Sequence, residues 1–253
     1  MTARTAIQLY TLRDVEADLE TLLERVAAAG YDGVEFASRL PESDPETTAA
    51  TLERLGLSVA GIHAAVGSLP GAHPSAMSRA RVVELCRAVG TTNAVVPYLD
   101  AACFEDEAAV AETASALSAL AEALADADVR LHYHNHDQEF QRIDGEYALE
   151  RVLAQTDVEL ELDAGWAAYA GADPAALLDR YADRISLVHV KDVDAETGRA
   201  TRLGTGCLDL DRLGERLRDS AVEWAIYEHD CPETPLDATA EDRHRLEARV
   251  LDR

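Results

Sequence analysis

The chain alternates between short apolar runs and longer amphipathic stretches, and this alternation restricts the possible fold more than any other feature. Eight runs of four to six residues are each followed by a stretch rich in alanine and leucine. The runs predict strands over 6–10, 33–36, 58–63, 93–97, 129–134, 158–163, 185–190 and 223–228. The stretches predict helices over roughly 15–29, 46–55, 75–89, 106–127, 145–155, 174–182, 209–219 and 237–251.

The number of strand–helix units indicates a barrel. Eight units in 253 residues average about 30 residues each, which matches the length of about 250 residues typical of a (β/α)8 barrel. We therefore predict an α/β fold, a (β/α)8 TIM barrel that forms a single domain over 1–253. A doubly wound open sheet is the alternative, but it would more often carry a glycine-rich phosphate loop after its first strand. The segment LYTLRD at 9–14 contains no glycine.

Several residues mark the ends of the predicted helices. Gly30 and Gly90 each follow a helical stretch, where the chain needs a positive φ angle to leave the helix. Asp173 followed by Pro174 is typical of a helix start, and Asp209 is a second candidate for an N-cap. These signals agree with the helix boundaries that the apolar pattern predicts.

The charge balance limits the classes of partner. The formal net charge is −25, from 48 acidic and 23 basic residues, and Lys191 is the only lysine. Such a negative field repels nucleic-acid phosphates and anionic membranes, so neither is expected as a partner. High salt would screen the self-repulsion, which indicates a salt-loving source. Most of the carboxylates are expected to serve a solvated surface, and few to serve catalysis.

The location of the protein is inferred from segments that the sequence lacks. The N-terminal MTARTAIQLY has no apolar core of a signal peptide, and no apolar run approaches the length needed to span a bilayer. The four cysteines are scattered and form no C-x-x-C pair, as expected for reduced thiols. We expect a cytoplasmic protein, and a homo-oligomer remains open.

The ends of the predicted strands carry an unusual set of side chains. Active sites of TIM barrels lie at the carboxyl ends of the strands. Every end from the fifth strand to the eighth is a residue that can bind a metal or transfer a proton. In chain order the eight ends are Tyr10, Glu35, His63, Tyr98, His134, Asp163, His189 and Glu228.

Strand periodicity predicts which of these side chains face the barrel axis. On the fifth strand, apolar residues alternate with His132 and His134, so the apolar set should face the helices and the histidines should point inward. The same alternation turns Asp163 inward on the sixth strand, and His189 and Glu228 inward on the seventh and eighth. The inward groups should therefore converge at the mouth of the barrel.

Four of these residues form a candidate metal site. His134, Asp163, His189 and Glu228 offer two imidazoles and two carboxylates, which suit Mn²⁺, Co²⁺ or Zn²⁺, with Mg²⁺ and Fe²⁺ as further candidates. A buried polar network without metal is the alternative. Buried carboxylates are costly unless they are paired or bound to a cation, which favours the metal.

Two residues near this group have a functional and a structural interpretation. Lys191 lies two residues beyond His189 and would face the substrate, or form a structural ion pair. Trp166 would stack on a sugar or wall the pocket, although aromatic residues in barrels mostly serve packing.

Glu161 is predicted to lie one layer deeper than Asp163. Its carboxylate would accept a hydrogen bond from His132 or His134 and orient that ring. The alternative partner of Glu161 is Arg130.

Five segments resemble those of the xylose-isomerase-like TIM-barrel group, the broad superfamily of sugar phosphate isomerases and epimerases. The resemblance runs from the first strand to the eighth and implies a barrel enzyme that uses a divalent metal on a small sugar. The segments are YHNHDQEF (133–140), ELDAGW (161–166), SLVHVKD (186–192), GTGCLDL (204–210) and EWAIYEHD (223–230).

The resemblance also implies a ligand set. In that group Glu, Asp, His and Glu at the ends of strands five to eight hold the metal, and the last three correspond to Asp163, His189 and Glu228. His134 stands where the first glutamate would be. Either His134 itself or Glu139 in the following loop would complete the site.

This departure affects the expected mechanism. Many epimerases of the group resemble two-base enzymes that form an enediolate. Glu228 can be one base, and the second acid or base would be His134, His136, Glu139 or Lys191. We expect substrate contacts from residues at the strand ends and the following loops: His63, Trp166, Glu35, Tyr10 and Asn135.

Four functions are compatible with the sequence to different degrees. The first is a metal-dependent isomerase or epimerase of a sugar or keto-sugar, possibly phosphorylated. The second is a dehydratase or lyase of a polyol-derived ketone that uses the same metal. A non-catalytic sugar-binding barrel is a third. A DNA-repair endonuclease shares the fold, but the net charge of −25 argues against it.

Overall fold

The described part of the chain forms a closed barrel. The structure is a computed structural model that describes residues 3–70 and 76–251. Within these ranges, eight parallel strands pair in chain order and the last pairs with the first, which confirms the predicted (β/α)8 fold. The strands are β1 (Arg4–Gln8), β2 (Gly33–Phe36), β3 (Ser58–His63), β4 (Asn93–Val96), β5 (Arg130–His134), β6 (Glu159–Asp163), β7 (Leu187–Val190) and β8 (Trp224–Tyr227).

Helices surround the barrel and follow the strands in turn. The first residue of the predicted helix over 75–89 lies outside the described ranges. Both ends of the predicted domain 1–253 also lie outside them. The helices are α1 (Leu19–Ala29), α2 (Pro45–Leu55), α3 (Arg79–Val89), α4 (Glu107–Ala125), α5 (Ala148–Ala154), α6 (Ala164–Tyr169), α7 (Pro174–Arg180), α8 (Leu210–Arg218) and α9 (Pro235–Arg245), and a π-helical segment (Leu246–Leu251) follows α9.

Two local predictions were wrong, and one helix was missed. Strand β1 ends at Gln8, and the residues that follow form a 3-10 turn, Leu9–Leu12. The helix predicted to begin at 145 is preceded by a β-hairpin, because Asp144 and Gly145 both have positive φ angles, as in a two-residue hairpin turn. The short helix α6 directly after β6 was not predicted.

Four predicted helix caps are present, although α1 begins at a cap of its own four residues later than predicted. Gly30 and Gly90 end α1 and α3 with φ angles of 88° and 74°. Asp173 accepts hydrogen bonds from the first backbone N–H groups of α7, and Asp209 accepts one from the N–H of Arg212 in α8.

Two apolar layers place the polar site. The larger layer lies between the strands and the helices and includes Leu131 and Tyr133 of β5, as their alternation predicts. A smaller layer fills the lower part of the barrel interior and leaves the upper part to polar side chains. It consists of Ala6, Ala60, Val95, Leu187, Trp224 and Ile226.

Helix α4 is the feature of the described residues that bears on the expectation that no segment could span a membrane. It is 19 residues long with a mean hydropathy of 1.2, so by length and composition alone it could cross a bilayer. In the fold, Val110, Leu117, Leu120 and Leu124 of this helix are buried in the outer apolar layer. A core helix of a barrel passes the same test of length and composition.

The GTGCLDL segment forms the loop between β7 and α8. The carboxylate of Asp192 accepts hydrogen bonds from the backbone N–H groups of Gly204, Gly206 and Leu208, at 2.8, 2.9 and 3.0 Å. A side chain at position 206 would collide with that carboxylate, which explains the glycine. This segment therefore has a structural role.

Candidate metal centre and active site

A cavity of about 600 Å³ opens at the carboxyl ends of the strands. This is the end of a TIM barrel at which active sites lie. Polar side chains from the strand ends form its floor, and the loops contribute a more apolar rim. The lining residues are Gln8, Tyr10, Ala37, Ser38, Pro41, Glu42, His63, Ala65, Met77, Pro97, Tyr98, His134, His136, Glu228 and Asp230.

The four predicted metal ligands meet at this cavity, where His134 and Glu228 belong to the lining and Asp163 and His189 are buried beside them. His134, Asp163, His189 and Glu228 are all buried, and each offers one ligand atom within 4.8 Å of the other three. They come from β5, β6 and β7 and from the residue after β8, on the inward side of each strand. Two imidazoles and two carboxylates could hold a divalent ion.

The Asp163 carboxylate indicates that a cation fits this cluster. Its Oδ1 atom caps α6 by accepting a hydrogen bond from the N–H of Trp166 at 2.8 Å. Its Oδ2 atom is buried and has no hydrogen-bond partner among the described residues. Burial raises the pKa of Asp163 to about 7, although the Lys191 ammonium lowers it. A cation at Oδ2 would remove this cost of burying the carboxylate.

Both histidines of the cluster are oriented by a buried carboxylate. His189 places Nδ1 2.9 Å from Glu228 and Nε2 2.7 Å from Glu35. His134 places Nδ1 2.9 Å from Glu161 and Nε2 3.6 Å from Asp163. A carboxylate on the second ring nitrogen fixes the tautomer and orientation of a ligand histidine. The predicted contact of Glu161 with His134 is thus present.

His63 connects the two supporting carboxylates. Its Nε2 atom lies 2.8 Å from Glu161 and 3.1 Å from Glu35. Burial works against a charged ring, yet these two carboxylates raise the pKa of His63 to about 10. His63, a predicted substrate contact, lines the cavity, whereas Glu35 is fully buried beneath it. Glu35 therefore supports His189 and is not placed to contact a substrate.

The only lysine lies beside the cluster. The Lys191 Nζ atom is 3.0 Å from Glu228 and 3.6 Å from Asp163, and the residue is 1% exposed. Burial opposes the charge of Glu228, but Lys191 and His189 hold the pKa of its carboxyl well below the usual value. Burial opposes the charge of Lys191 as well, but the carboxylates around it outweigh burial and raise its pKa, so it is kept charged. The site thus contains a charged ammonium–carboxylate pair.

Glu139 does not join the cluster. Its Oε1 atom accepts a hydrogen bond from the hydroxyl of Tyr133 at 2.5 Å, and its Oε2 atom accepts one from the N–H of His136 at 2.8 Å. Tyr133 points away from the barrel axis, so the short turn Gln138–Phe140 folds the carboxylate behind the strand. This position argues against Glu139 as a metal ligand or catalytic base.

Asn135 does not lie where it could make the predicted substrate contact. Its side chain forms hydrogen bonds with both backbone polar groups of Asp163, at 3.0 and 3.2 Å, and it is fully buried. Because both of its polar atoms are occupied, it supports Asp163 and is not available to bind a substrate.

The other residues that the sequence analysis named near the site are Tyr10, Tyr98, His136 and Trp166. Tyr10 is 40% exposed and belongs to the turn beyond β1, so it is a rim residue and not a strand end. Tyr98, 47% exposed, packs against His136 with ring centroids 5.2 Å apart. His136 lines the cavity, and its Nδ1 atom has no partner within the described ranges. The Trp166 ring is 5.0 Å from Lys191 Nζ.

His132 and Arg130 lie lower in the barrel. His132 approaches Asn93 at 3.3 Å and Glu159 at 3.7 Å, so it does not pair with Glu161. Arg130 lies 3.6 Å from Glu159, so the alternative pairing of Arg130 with Glu161 was wrong.

Two residues at the site were not predicted. Gln8 ends β1 and donates its amide to His63 at 3.2 Å. Asp230 lies 3.0 Å from Lys191 Nζ and lines the cavity. Asp230 could have been found from its spacing, because it follows Glu228 by two residues in the EHD segment.

Comparison with known proteins agrees with this geometry. The family model for the xylose isomerase-like TIM barrel matches residues 23–252. The chain belongs to the xylose isomerase-like TIM-barrel family. The resemblance predicted from the sequence motifs is therefore confirmed.

Individual relatives of this family member carry different activities in their names. An inosose dehydratase of Lacticaseibacillus casei is 24% identical over 250 residues, which cover 84% of this chain and 82% of the relative. A sugar phosphate isomerase/epimerase structure from Parabacteroides distasonis has a TM-score of 0.79 at 20% identity, covering 98% of this chain and 95% of that one.

A second structure carries the name of a dehydratase. The probable 3-DHS dehydratase AsbF from Bacillus anthracis has a TM-score of 0.78 at 16% identity, covering 96% of this chain and 98% of that one. At this identity the two structures demonstrate the fold alone. The family is one of enzymes, and both dehydratases and isomerases or epimerases occur among the names.

Proposed function

We propose that this protein is a divalent-metal-dependent lyase of the dehydratase type, acting on a small keto-sugar or polyol-derived ketone. The observation that carries the proposal is the contact of 3.0 Å between Lys191 Nζ and Glu228 Oε2. Glu228 lines the cavity, and Lys191 lies buried directly behind it. The contact joins a proton acceptor and a proton donor on one side of the cavity, and elimination of water requires both.

The predicted ligand residues would hold the cation. His134, Asp163, His189 and Glu228 fit a divalent ion, because Asp163 Oδ2 is buried without a partner among the residues described. When bound, such an ion polarises the carbonyl group of the substrate and stabilises negative charge on its oxygen. Glu35 and Glu161 would keep the two imidazoles in the orientation that ligation requires.

Glu228 and Lys191 would carry out the proton transfers. Glu228 removes the proton from the carbon beside the carbonyl group, and the electron pair of that C–H bond forms the new C–C double bond. The β-hydroxyl group leaves with a proton from Lys191, so one water is released. Lys191 then recovers a proton from Glu228 across the 3.0 Å contact, and both residues return to their starting state.

The position of Glu139 favours elimination over two-base epimerisation. Two-base enzymes need an acid or base on each face of the substrate, and Glu139 was the second glutamate available to the sequence prediction. Its carboxylate is bound to Tyr133 and the His136 backbone, behind β5. The name of the inosose dehydratase relative also supports elimination.

Epimerisation or isomerisation is the second candidate, and His136 is the observation that favours it. Its Nδ1 atom is buried with no partner in the described part of the chain, and its ring lines the cavity. Burial, followed by the charge of Lys191, lowers the pKa of His136 to about 3, so the ring is neutral at neutral pH. A neutral imidazole could take up a proton from a second face of the substrate.

The proposal is tested by incubating the purified protein and Mn²⁺ with inosose and a panel of keto-sugars in deuterated water. A product lighter by one water, seen by mass spectrometry, would support elimination. Deuterium at the carbon beside the carbonyl, without loss of water, would support the second candidate. A protein that binds no stoichiometric divalent metal and is not stabilised by Mn²⁺ would contradict both and favour a non-catalytic barrel.

We further propose a small sugar-like molecule as the partner, and neither nucleic acid nor a membrane. The net charge of −25 supports this, because it repels phosphate backbones and anionic lipids. The cytoplasmic location, the salt-loving source and a homo-oligomer stay predictions.

A further inference from the structure

Three carboxylates lie close to the Lys191 ammonium, and only some of them are candidate metal ligands. Its Nζ atom lies 3.0 Å from Glu228 Oε2, 3.0 Å from Asp230 Oδ2 and 3.6 Å from Asp163 Oδ2. Glu228 and Asp163 are candidate metal ligands. Asp230 belongs to neither group of potential ligand atoms in the described part of the chain.

A cation in the cluster would compete with Lys191 for two of these three carboxylates. Glu228 Oε2 lies 2.9 Å from His189 Nδ1 and also 3.0 Å from the ammonium, so the same oxygen faces both the cluster and Lys191. Asp163 Oδ2 likewise lies between His134 and Lys191, 3.6 Å from each. The positive ion would attract these oxygens and repel the ammonium.

Asp230 is placed to keep the ammonium where it is. It lies on the cavity wall with a side-chain exposure of 29%, whereas Lys191 is almost completely buried behind it. Both carboxylate oxygens of Asp230 are within 3.2 Å of Nζ. On another side the Trp166 ring, 5.0 Å away, offers an aromatic contact that a cation favours.

We infer that Asp230 is a positioning residue, which holds the Lys191 ammonium at the cavity wall while a divalent cation occupies Glu228 and Asp163. The inference rests on the proposed function, in which Lys191 donates the proton that leaves with the β-hydroxyl group. Asp230 would act through Lys191 and would not bind the metal. Its loss should lower turnover without lowering metal affinity.

The single lysine allows a test that does not depend on activity. Protein labelled with ¹⁵N-lysine has only one labelled side-chain ammonium, that of Lys191. Zn²⁺, which is diamagnetic, is added to the wild type and to the Asp230→Asn variant, and the ammonium resonance is followed by NMR. We expect the wild type to retain a slowly exchanging resonance in saturating Zn²⁺, and the variant to lose it to exchange with water.

Glu42→Gln is the matched control. Glu42 is an exposed carboxylate that lines the same cavity, so this variant removes one negative charge from the mouth without touching Lys191. In Glu42→Gln, the Lys191 ammonium resonance should behave as in the wild type. Equal resonances for Asp230→Asn and the wild type in Zn²⁺ would overturn the inference. Asp230→Ser provides the same comparison if the asparagine variant does not fold.

Kinetics separate this inference from the proposed function. On a substrate that the wild type turns over, Asp230→Asn should lower kcat by roughly 10- to 100-fold, as expected for a misplaced catalytic group, with the Mn²⁺ affinity unchanged. A loss of Mn²⁺ affinity equal to that of an Asp163 variant would make Asp230 a ligand and contradict the inference. Absence of turnover in the wild type would refute the proposed function alone, and the NMR comparison would still decide on Asp230.

Discussion

Asn135 holds Asp163 by both polar groups of its backbone. The Asn135 Oδ1 atom accepts from the N–H of Asp163 at 3.0 Å, and its Nδ2 group donates to the C=O of Asp163 at 3.2 Å. One amide therefore ties the end of β5 to the end of β6, at the point where a predicted metal ligand leaves the sheet. The orientation of the Asp163 carboxylate depends on a residue that does not line the cavity and is not one of the candidate ligands.

Replacing Asn135 by alanine should weaken both the fold and the metal site. Two buried backbone groups would lose their partners, which costs about 1–3 kcal/mol for each group left unsatisfied. Urea unfolding should show a lower free energy of unfolding, and calorimetry should show weaker Mn²⁺ binding. Gln138→Ala is the control, because Gln138 donates to the backbone of Leu99 in a loop away from Asp163. Equal Mn²⁺ affinity in the Asn135 variant and the wild type would contradict the assigned role.

Two substitutions at Asp163 should separate its role as the cap of α6 from its role as a candidate metal ligand. Asparagine can still cap α6 with its oxygen but brings no charge to the cluster. Alanine removes both the cap and the charge. We expect both variants to lose metal, measured by elemental analysis after dialysis, and only the alanine variant to lose the additional stability of the cap, about 1 kcal/mol.

The cap at Asp173 supplies the comparison for the Asp163 variants. Asp173 accepts from the N–H groups of Ala175 and Ala176 and is not one of the candidate ligands. Asp173→Ala should therefore lose a similar stability and retain full metal content. Unchanged metal content in both Asp163 variants would count against the metal site.

Glu228→Gln should abolish turnover and preserve the fold. The substitution keeps the size and one oxygen of the side chain but removes the basic carboxylate beside Lys191. The loss of kcat should be on the order of 10²- to 10⁴-fold, as is usual for a general base. Glu223→Gln, at an exposed carboxylate before the same strand, is the matched control. Near-normal kcat in Glu228→Gln would refute its assignment as the base.

The inward positions could be predicted from the sequence because strand periodicity is rigid. A side-chain period of two assigns His134, Asp163, His189 and Glu228 to the barrel interior without knowledge of any contact. The eight strands place them at one end, and the structure brings their ligand atoms together within 4.8 Å. The predicted end of β8 lies one residue beyond the observed one, and this error does not change the face that Glu228 occupies.

The loops were less predictable, because local hydrogen bonds decide their course. Glu139 was assigned to the site from its nearness in sequence to His134, but Tyr133 and the His136 backbone bind its carboxylate behind β5. Tyr10 was taken as a strand end, and the chain instead turns after Gln8. In these positions no periodic pattern specifies the direction of a side chain.

Glu139 should make the stability of the protein depend on pH. Burial raises the pKa of Glu139 from 4.5 to about 7, although hydrogen bonds from Tyr133 and the backbone N–H groups lower it. The folded chain therefore holds this proton more tightly than the unfolded chain. The resulting stabilisation is complete below pH 4.5 and is lost as the pH rises to about 7.

Glu139→Gln should remove this dependence, because glutamine has no proton to lose in this range. Free energies of unfolding are measured in urea at several pH values for both proteins. The wild type should lose on the order of 3 kcal/mol relative to the variant between pH 4.5 and 7, the equivalent of its pKa shift. Glu112→Gln, at an exposed position of α4, is the control and should follow the wild type. If the free energies of unfolding of the wild type and Glu139→Gln change with pH in parallel, the Glu139 carboxyl does not have a raised pKa in the folded protein.

Salt should stabilise the fold, because the net charge of −25 leaves an excess of negative side chains that repel one another. The Debye length falls from about 10 Å at 0.1 M to about 3 Å at 1 M, so added KCl should weaken this repulsion and raise the urea midpoint. A variant with Glu16, Glu122 and Glu215, all exposed, changed to glutamine should show a smaller increase. KCl is chosen over sulfate because sulfate also strengthens apolar burial, which would raise the midpoint for another reason. A midpoint that stays constant from 0.1 to 1 M KCl would mean that the exposed ion pairs lost to screening balance the repulsion that is relieved.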